Sequence, residues 1–169
     1  MDIINLNLEK LNRLDLTNTS STEGGLYTFE FESDKKVVKE LDFIGTPYYN
    51  NKLKIVLSLN NLKNVLPEEL CVPEGLIEYG GIISGFYLPF INGKTLKAIL
   101  SSKDISHNTK IMYLKSVGKL LEKLKNTNLY LNDLHEDNFI ITDKENINPL
   151  NLLDTITEKQ FYKTRRLRK

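Results

Sequence analysis

The chain has one cysteine, Cys71, in 169 residues, which excludes an intramolecular disulfide framework and suits a reducing compartment. It has two histidines, His107 and His135, and with Cys71 they make no metal-ligand spacing. No basic segment followed by an apolar core opens MDIINLNLEK, so no signal peptide is read there. The longest apolar stretch, around Ile82 to Ile91, is broken by Ser84, Gly85 and Pro89 and is far too short to span a membrane. No repeat or low-complexity tract is present, and no serine sits in a nucleophile-elbow context. Net charge is only +1, so nothing global points to nucleic acid. These absences leave a soluble, cytoplasmic protein, of one domain or two small lobes, with room for a core. The charge is uneven, however: Lys163, Arg165, Arg166, Arg168 and Lys169 crowd the end, where a solvated, disordered tail is expected.

Patterning gives the coarse architecture. Leu11 to Thr17 alternates apolar and polar residues and predicts a strand, followed by the polar loop NTSSTEGG. Leu26 to Phe31 is β-prone, Glu32 to Lys35 reads as a turn with Lys35 and Lys36 solvated, and Lys36 to Leu41 predicts a further strand. Tyr48 to Leu62 has helical apolar spacing through Leu53, Val56, Leu57, Leu59 and Leu62. Leu70 to Glu78 and Gly81 to Leu88 predict two strands joined at Tyr79-Gly80-Gly81, and a breaker-rich link leads to a short helix from Lys94. Asn108 to Asn126 is the strongest helix, with a core stripe of Ile111, Leu114, Val117, Leu121 and Leu124 and a cap at Asp104 or Ser106. A strand at Phe139 to Thr142, a turn at Asp143 to Pro149 and a strand at Leu150 to Leu153 complete the pattern.

The stretch between helix and strand, LNDLHEDNFII, is chemically the richest. Asp133 and Asn138 lie five residues apart on one short loop, where their side chains can converge. Phosphoryl transfer needs a carboxylate beside the attacking hydroxyl and oxygen ligands for Mg²⁺. Asp133 suits the first need and Asn138 the second.

This loop resembles the catalytic loop of the protein-kinase-like superfamily, an Asp followed five residues later by an Asn. The form D-L-H-x-x-N, with His135 third, resembles that of aminoglycoside and choline phosphotransferases. The resemblance implies an α+β fold: an antiparallel-sheet N-lobe over residues 1–91, a partial helical C-lobe over 92–156, and a basic tail over 157–169. It implies ATP and Mg²⁺ as cofactors and a hydroxyl acceptor, protein Ser/Thr ahead of a small molecule. Gly24 and Gly25 take the place of the phosphate-covering turn, and Val37-Val38-Lys39 resembles V-A-I-K, which makes Lys39 the phosphate-gripping lysine. Leu88, Pro89, Phe90 and Ile91 fall at the hinge that offers backbone groups to adenine, and Asp154 falls where the metal-binding Asp of D-F-G stands. His135 then braces the loop or faces phosphate.

There are departures. G-x-G-x-x-G is absent, the helix at Tyr48 to Leu62 holds no acid to pair with Lys39, and the last triplet is Asp154-Thr155-Ile156. Glu68 or Glu69 is the expected substitute for the missing acid. Only fifteen residues follow Asp154, so the reading expects a truncated C-lobe. Leucines left exposed on the long helix then favour self-association or a partner chain. The same departures suit an inactive, pseudokinase-like binding module.

Overall fold

Period-two alternation and β-branched residues make the centre of the fold a sheet. The computed structural model describes residues 1–13, 25–127, 134–142 and 147–149. Strands β1 (Asp2–Asn5), β2 (Asn12–Arg13), β3 (Leu26–Phe31), β4 (Asp34–Glu40), β5 (Gly75–Tyr79) and β6 (Ile82–Pro89) form one six-stranded sheet in the order β1-β5-β6-β4-β3-β2. Every pairing is antiparallel except β1 with β5, which is parallel. Helix α1 (Pro47–Leu62) intervenes between β4 and β5. A three-stranded sheet follows, built from β7 (Lys94–Thr95), β8 (Phe139–Ile141) and β9 (Ile147–Pro149), with helices α2 (Leu96–Ser101) and α3 (His107–Lys125). The class is α+β. Among the described residues no helix is long and apolar enough to cross a membrane.

The chain divides into two compact units. The first comprises Met1–Lys63 and Val72–Phe90; the second comprises Asn64–Cys71 and the chain from Ile91 onward.

In the first unit the two hairpins turn by the same geometry with different residues. Gly80 and Gly81, at φ 62° and 80°, link β5 to β6, and lacking Cβ they adopt the left-handed region without strain. Glu32 and Ser33 do the same between β3 and β4, at φ 51° and 69°, despite carrying side chains. The turn is therefore two residues long rather than the expected four, and it puts Lys35 and Lys36 into β4. Both are strand residues: Lys35 is exposed as expected, with its Nζ 4.2 Å from the centre of the Phe90 ring, while Lys36 is half-buried and its Nζ pairs with Glu74 Oε2 at 2.9 Å.

One face of this sheet packs Val38, Ile77 and Tyr87 with Leu8, and draws in Ile4, Leu6, Leu11, Tyr27 and Phe29. The N-terminal segment thus covers that face. Helix α1 starts at Thr46, whose Oγ1 accepts the Tyr49 N–H at 3.3 Å. The Tyr49 hydroxyl donates to Ile83 O at 2.8 Å and Asn60 Nδ2 donates to Pro73 O at 2.9 Å, so the helix is fastened near both ends.

In the second unit Leu96, Ile99, Val117, Leu120, Phe139 and Ile141 form the core, joined by Leu100, Ile105, Tyr113 and Leu121. Ser106 is the cap of α3, accepting the Thr109 N–H at 3.1 Å. The buried stripe is Val117, Leu120 and Leu124, rotated from the expected one: Ile111 and Leu114 are 37% and 48% exposed. Strand β9 occupies positions read as a turn, since Pro149 at a strand end looks like a breaker. The strand expected at 150–153 lies outside the described residues, as do positions 14–17 of the first expected strand.

Candidate functional site

Lys39 lies in the middle of a cross-strand row. Its register partners are Leu26 on β3 and Phe86 on β6, and Phe86 in turn pairs with Leu76 on β5. Strand side chains alternate between faces, so Lys39 stands opposite the face carrying Val38 and Tyr87. The residue is only 6% exposed, with Phe86 at 1% beside it. Among the described residues it is the buried charged one. Burying an ammonium costs several kcal/mol unless other groups offset it, so the position is one the fold has to support.

The neighbouring Lys36 is a contrast on the same strand. The hydrogen bond it donates to Glu74, opposed by burial and helped by Asp34, raises its pKa above the ordinary lysine value. Its partners therefore explain Lys36 as a structural ion pair.

At the other end of β4, Glu40 works as a clamp. Its Oε2 accepts the Gly25 N–H at 3.1 Å and the Tyr27 hydroxyl at 3.0 Å. The Glu40 N–H donates to Gly25 O at 2.9 Å. Gly25 is buried, and a Cβ there would stand 2.5 Å from the Tyr27 hydroxyl, so a larger residue would have to displace the end of the Tyr27 side chain. Gly25 is thereby tied to the strand bearing Lys39. Sequence reading missed Glu40, because an acid at a strand end carries no signal of its own.

Leu88 and Pro89 end β6, with Leu88 buried beside Val37. Phe90 donates its N–H to Lys35 O at 3.2 Å, and Pro89 has none to give, so these two backbone positions offer no free donor. Ile91 begins the second unit's part of the chain.

In the second unit, residues Glu136–Asn138 form a 3₁₀ turn leading directly into β8. The Asn138 N–H donates to His135 O at 2.9 Å, which closes the turn and places Asn138 at the strand's entrance. The His135 side chain caps this turn: Nδ1 accepts the Asp137 N–H at 3.3 Å. Asp137 Oδ2 lies 3.3 Å from the same Nδ1 and accepts from Lys97 Nζ at 2.9 Å. Lys97 and Asp137 were not singled out by sequence; forty positions separate them, and no local pattern reports such a pair.

Glu69, read as a possible substitute for the acid missing from α1, has a partner within its own unit. It belongs to the second unit and is hydrogen-bonded by Lys123 Nζ, which holds its carboxyl below the ordinary range. Glu68 is exposed.

Gly24, Asp133 and Asp154 lie outside the described residues. Among the described residues no group of three or more His, Cys, Asp or Glu gathers to hold a metal ion. No protein-family model matches the chain, and a search of curated proteins finds no match.

Proposed function

We propose that the chain is an ATP- and Mg²⁺-dependent phosphotransferase of the protein-kinase-like type, moving a γ-phosphate to a hydroxyl. Protein Ser/Thr is the preferred acceptor class. The observation that carries this reading is Lys39, a lysine withdrawn from water on the third of the consecutive strands β2, β3 and β4. A phosphate-gripping lysine needs that support, since a loosely held ammonium loses orientation and is screened by solvent. Two further features agree: Gly25 is bound to the lysine's own strand through Glu40, and Asn138 stands between a capped turn and a strand.

Each residue has a role. Lys39 neutralises phosphate charge. Asp133 orients the acceptor hydroxyl and takes its proton. Asn138 and Asp154 offer an amide and a carboxylate oxygen, hard donors of the kind Mg²⁺ takes. Bound Mg²⁺ supplies charge neutralisation at the phosphate oxygens.

The test is incubation of pure protein with γ-labelled ATP, Mg²⁺ and a general protein acceptor, beside Asp133→Asn. Label transferred by the wild type and lost in the variant supports the reading. Thermal stabilisation by Mg-ATP without transfer favours an inactive nucleotide-binding module. That second reading has its own observation: α1 carries no acid, and Glu69 is taken by Lys123. Neither transfer nor stabilisation overturns both.

A further inference from the structure

We propose that Asn92 is a modification site: its side-chain amide closes onto the Gly93 nitrogen, and the ring so formed opens to aspartate and isoaspartate. The inference goes beyond the function proposed above and does not depend on it.

The chemistry needs an amide in water, a free main-chain N–H next to it, and no Cβ in the way. Asn92 and Gly93 are both exposed, in the link between β6 and β7. Among the described residues no hydrogen bond holds the Asn92 side chain or the Gly93 N–H. Gly93 has no side chain to crowd the approach. The pair is also the chain's one Asn followed by Gly. Exposed asparagines elsewhere are protected. After Asn108 the Thr109 N–H is held by Ser106 Oγ at 3.1 Å, and after Asn126 the Thr127 N–H is held by Leu124 O at 2.9 Å. Both threonines are β-branched as well, which hinders ring closure.

The fold keeps the reactive pair in place. A Cβ on Gly93 would press into Ile141 O and stand 2.5 Å from Ile140 Cγ2, so β8 requires glycine there. The next residues, Lys94 and Thr95, form β7 in register with Ile141 and Ile140. The residue that makes Asn92 reactive is thus the one that lets β7 lie against β8.

The step balances without a cofactor. Hydroxide takes the proton from the Gly93 N–H, and the nitrogen attacks Asn92 Cγ. The N–Cγ bond forms and the Cγ–Nδ2 bond breaks, with ammonia leaving on a proton from water. Water then opens the ring, and no electron is transferred. Addition at Cγ gives aspartate on an unchanged main chain. Addition at the main-chain carbonyl gives isoaspartate, whose main chain runs through Cβ and Cγ. Both products place a new negative charge two residues before Lys94. Isoaspartate alone lengthens the main chain ahead of Gly93, so Gly93 and Lys94 cannot both keep their places against β8.

The experiment is incubation of the full chain in mildly alkaline buffer. The segment holding Asn92 is read over time by mass spectrometry and by enzymatic methyl labelling of isoaspartate. Amide is expected to become acid at Asn92, in proportion to hydroxide. The rate should lie within about tenfold of that in a free peptide of the same sequence, since no hydrogen bond has to open first. Asn92→Gln is expected to remove the methyl label. A folded chain that keeps its amide while the free peptide converts overturns the proposal, and so does label undiminished in Asn92→Gln. The two products are then separated and melted. The isoaspartate form is expected to melt below the aspartate form, and the aspartate form close to the unreacted chain. Equal melting of the two products overturns the seating of β7 through Gly93.

Discussion

Lys39 and Asp137 are both charged and both largely withdrawn from water, yet the chain supports them in different ways. Lys39 sits in a row of four strands, fixed by backbone ladders on either side, with apolar register partners Leu26 and Phe86. Asp137 sits in a three-residue turn and depends on two side chains, Lys97 and His135. A sheet holds a side chain's position whatever that side chain is. A capped turn holds it only while the polar contacts last. The first unit should therefore tolerate loss of its candidate residue structurally, while the second should not.

The largest effect expected is on the sheet's packing. Phe86→Ala removes a ring that is 1% exposed and should destabilise by about 3–5 kcal/mol in denaturant titration. A loss below about 1 kcal/mol would mean that the row around Lys39 is loosely packed, and the comparison would fail. Next, Asp137→Asn keeps the shape, removes the charge and breaks the ion pair with Lys97 Nζ. We expect a loss of about 1–2 kcal/mol, because Lys97 is partly solvated and recovers some hydration. Smaller again is Ser33→Gly. Ser33 has φ 69°, a conformation that costs an L-residue about 1 kcal/mol, so glycine should raise the melting temperature.

The smallest effect concerns pH. Lys123 lowers the Glu69 carboxyl below its ordinary value of 4.5 in the folded state. A depressed folded value means that the pair stabilises above the unfolded pKa, and that this stability is lost as pH falls through the folded one. Lys123 is 55% exposed, so screening limits the contribution to well under about 1 kcal/mol. Melting curves from neutral pH down to about pH 3 should show a slightly shallower acid loss for Glu69→Gln than for the wild type.

Where local pattern decides structure, the sequence was legible. Strand β3 has the bounds that its β-prone run predicts, and α1 and α3 begin and end within about a residue of their readings. The Gly80-Gly81 turn needed only two residues free to take positive φ. Less legible was anything set at long range. Strand β1 is a four-residue edge paired in parallel, with Ile3 58% exposed, too short to show a period. The Glu32-Ser33 turn lacks glycine, so its tightness follows from strand register and not from turn chemistry. The core stripe of α3 was misplaced because both sides of that helix are apolar: Leu120 is buried while Leu114 is not.

The candidate residues of each unit divide the same way. Lys39 was proposed from a strand motif, and Asn138 from spacing within one loop. Glu40, Lys97 and Asp137 were missed, since each acts on a partner distant in sequence. Local motifs report which residue types are present; only the fold reports which of them touch.

The most direct test is calorimetric titration of Mg-ATP into the wild type and into Lys39→Met, a change that keeps most of the side chain's volume. The account predicts binding by the wild type, a loss in the variant of about 10²–10³-fold if one charged phosphate contact is removed, and a melting temperature changed little. Equal binding by both proteins, or a variant that unfolds while the wild type binds nothing, would make Lys39 a structural residue and contradict the account.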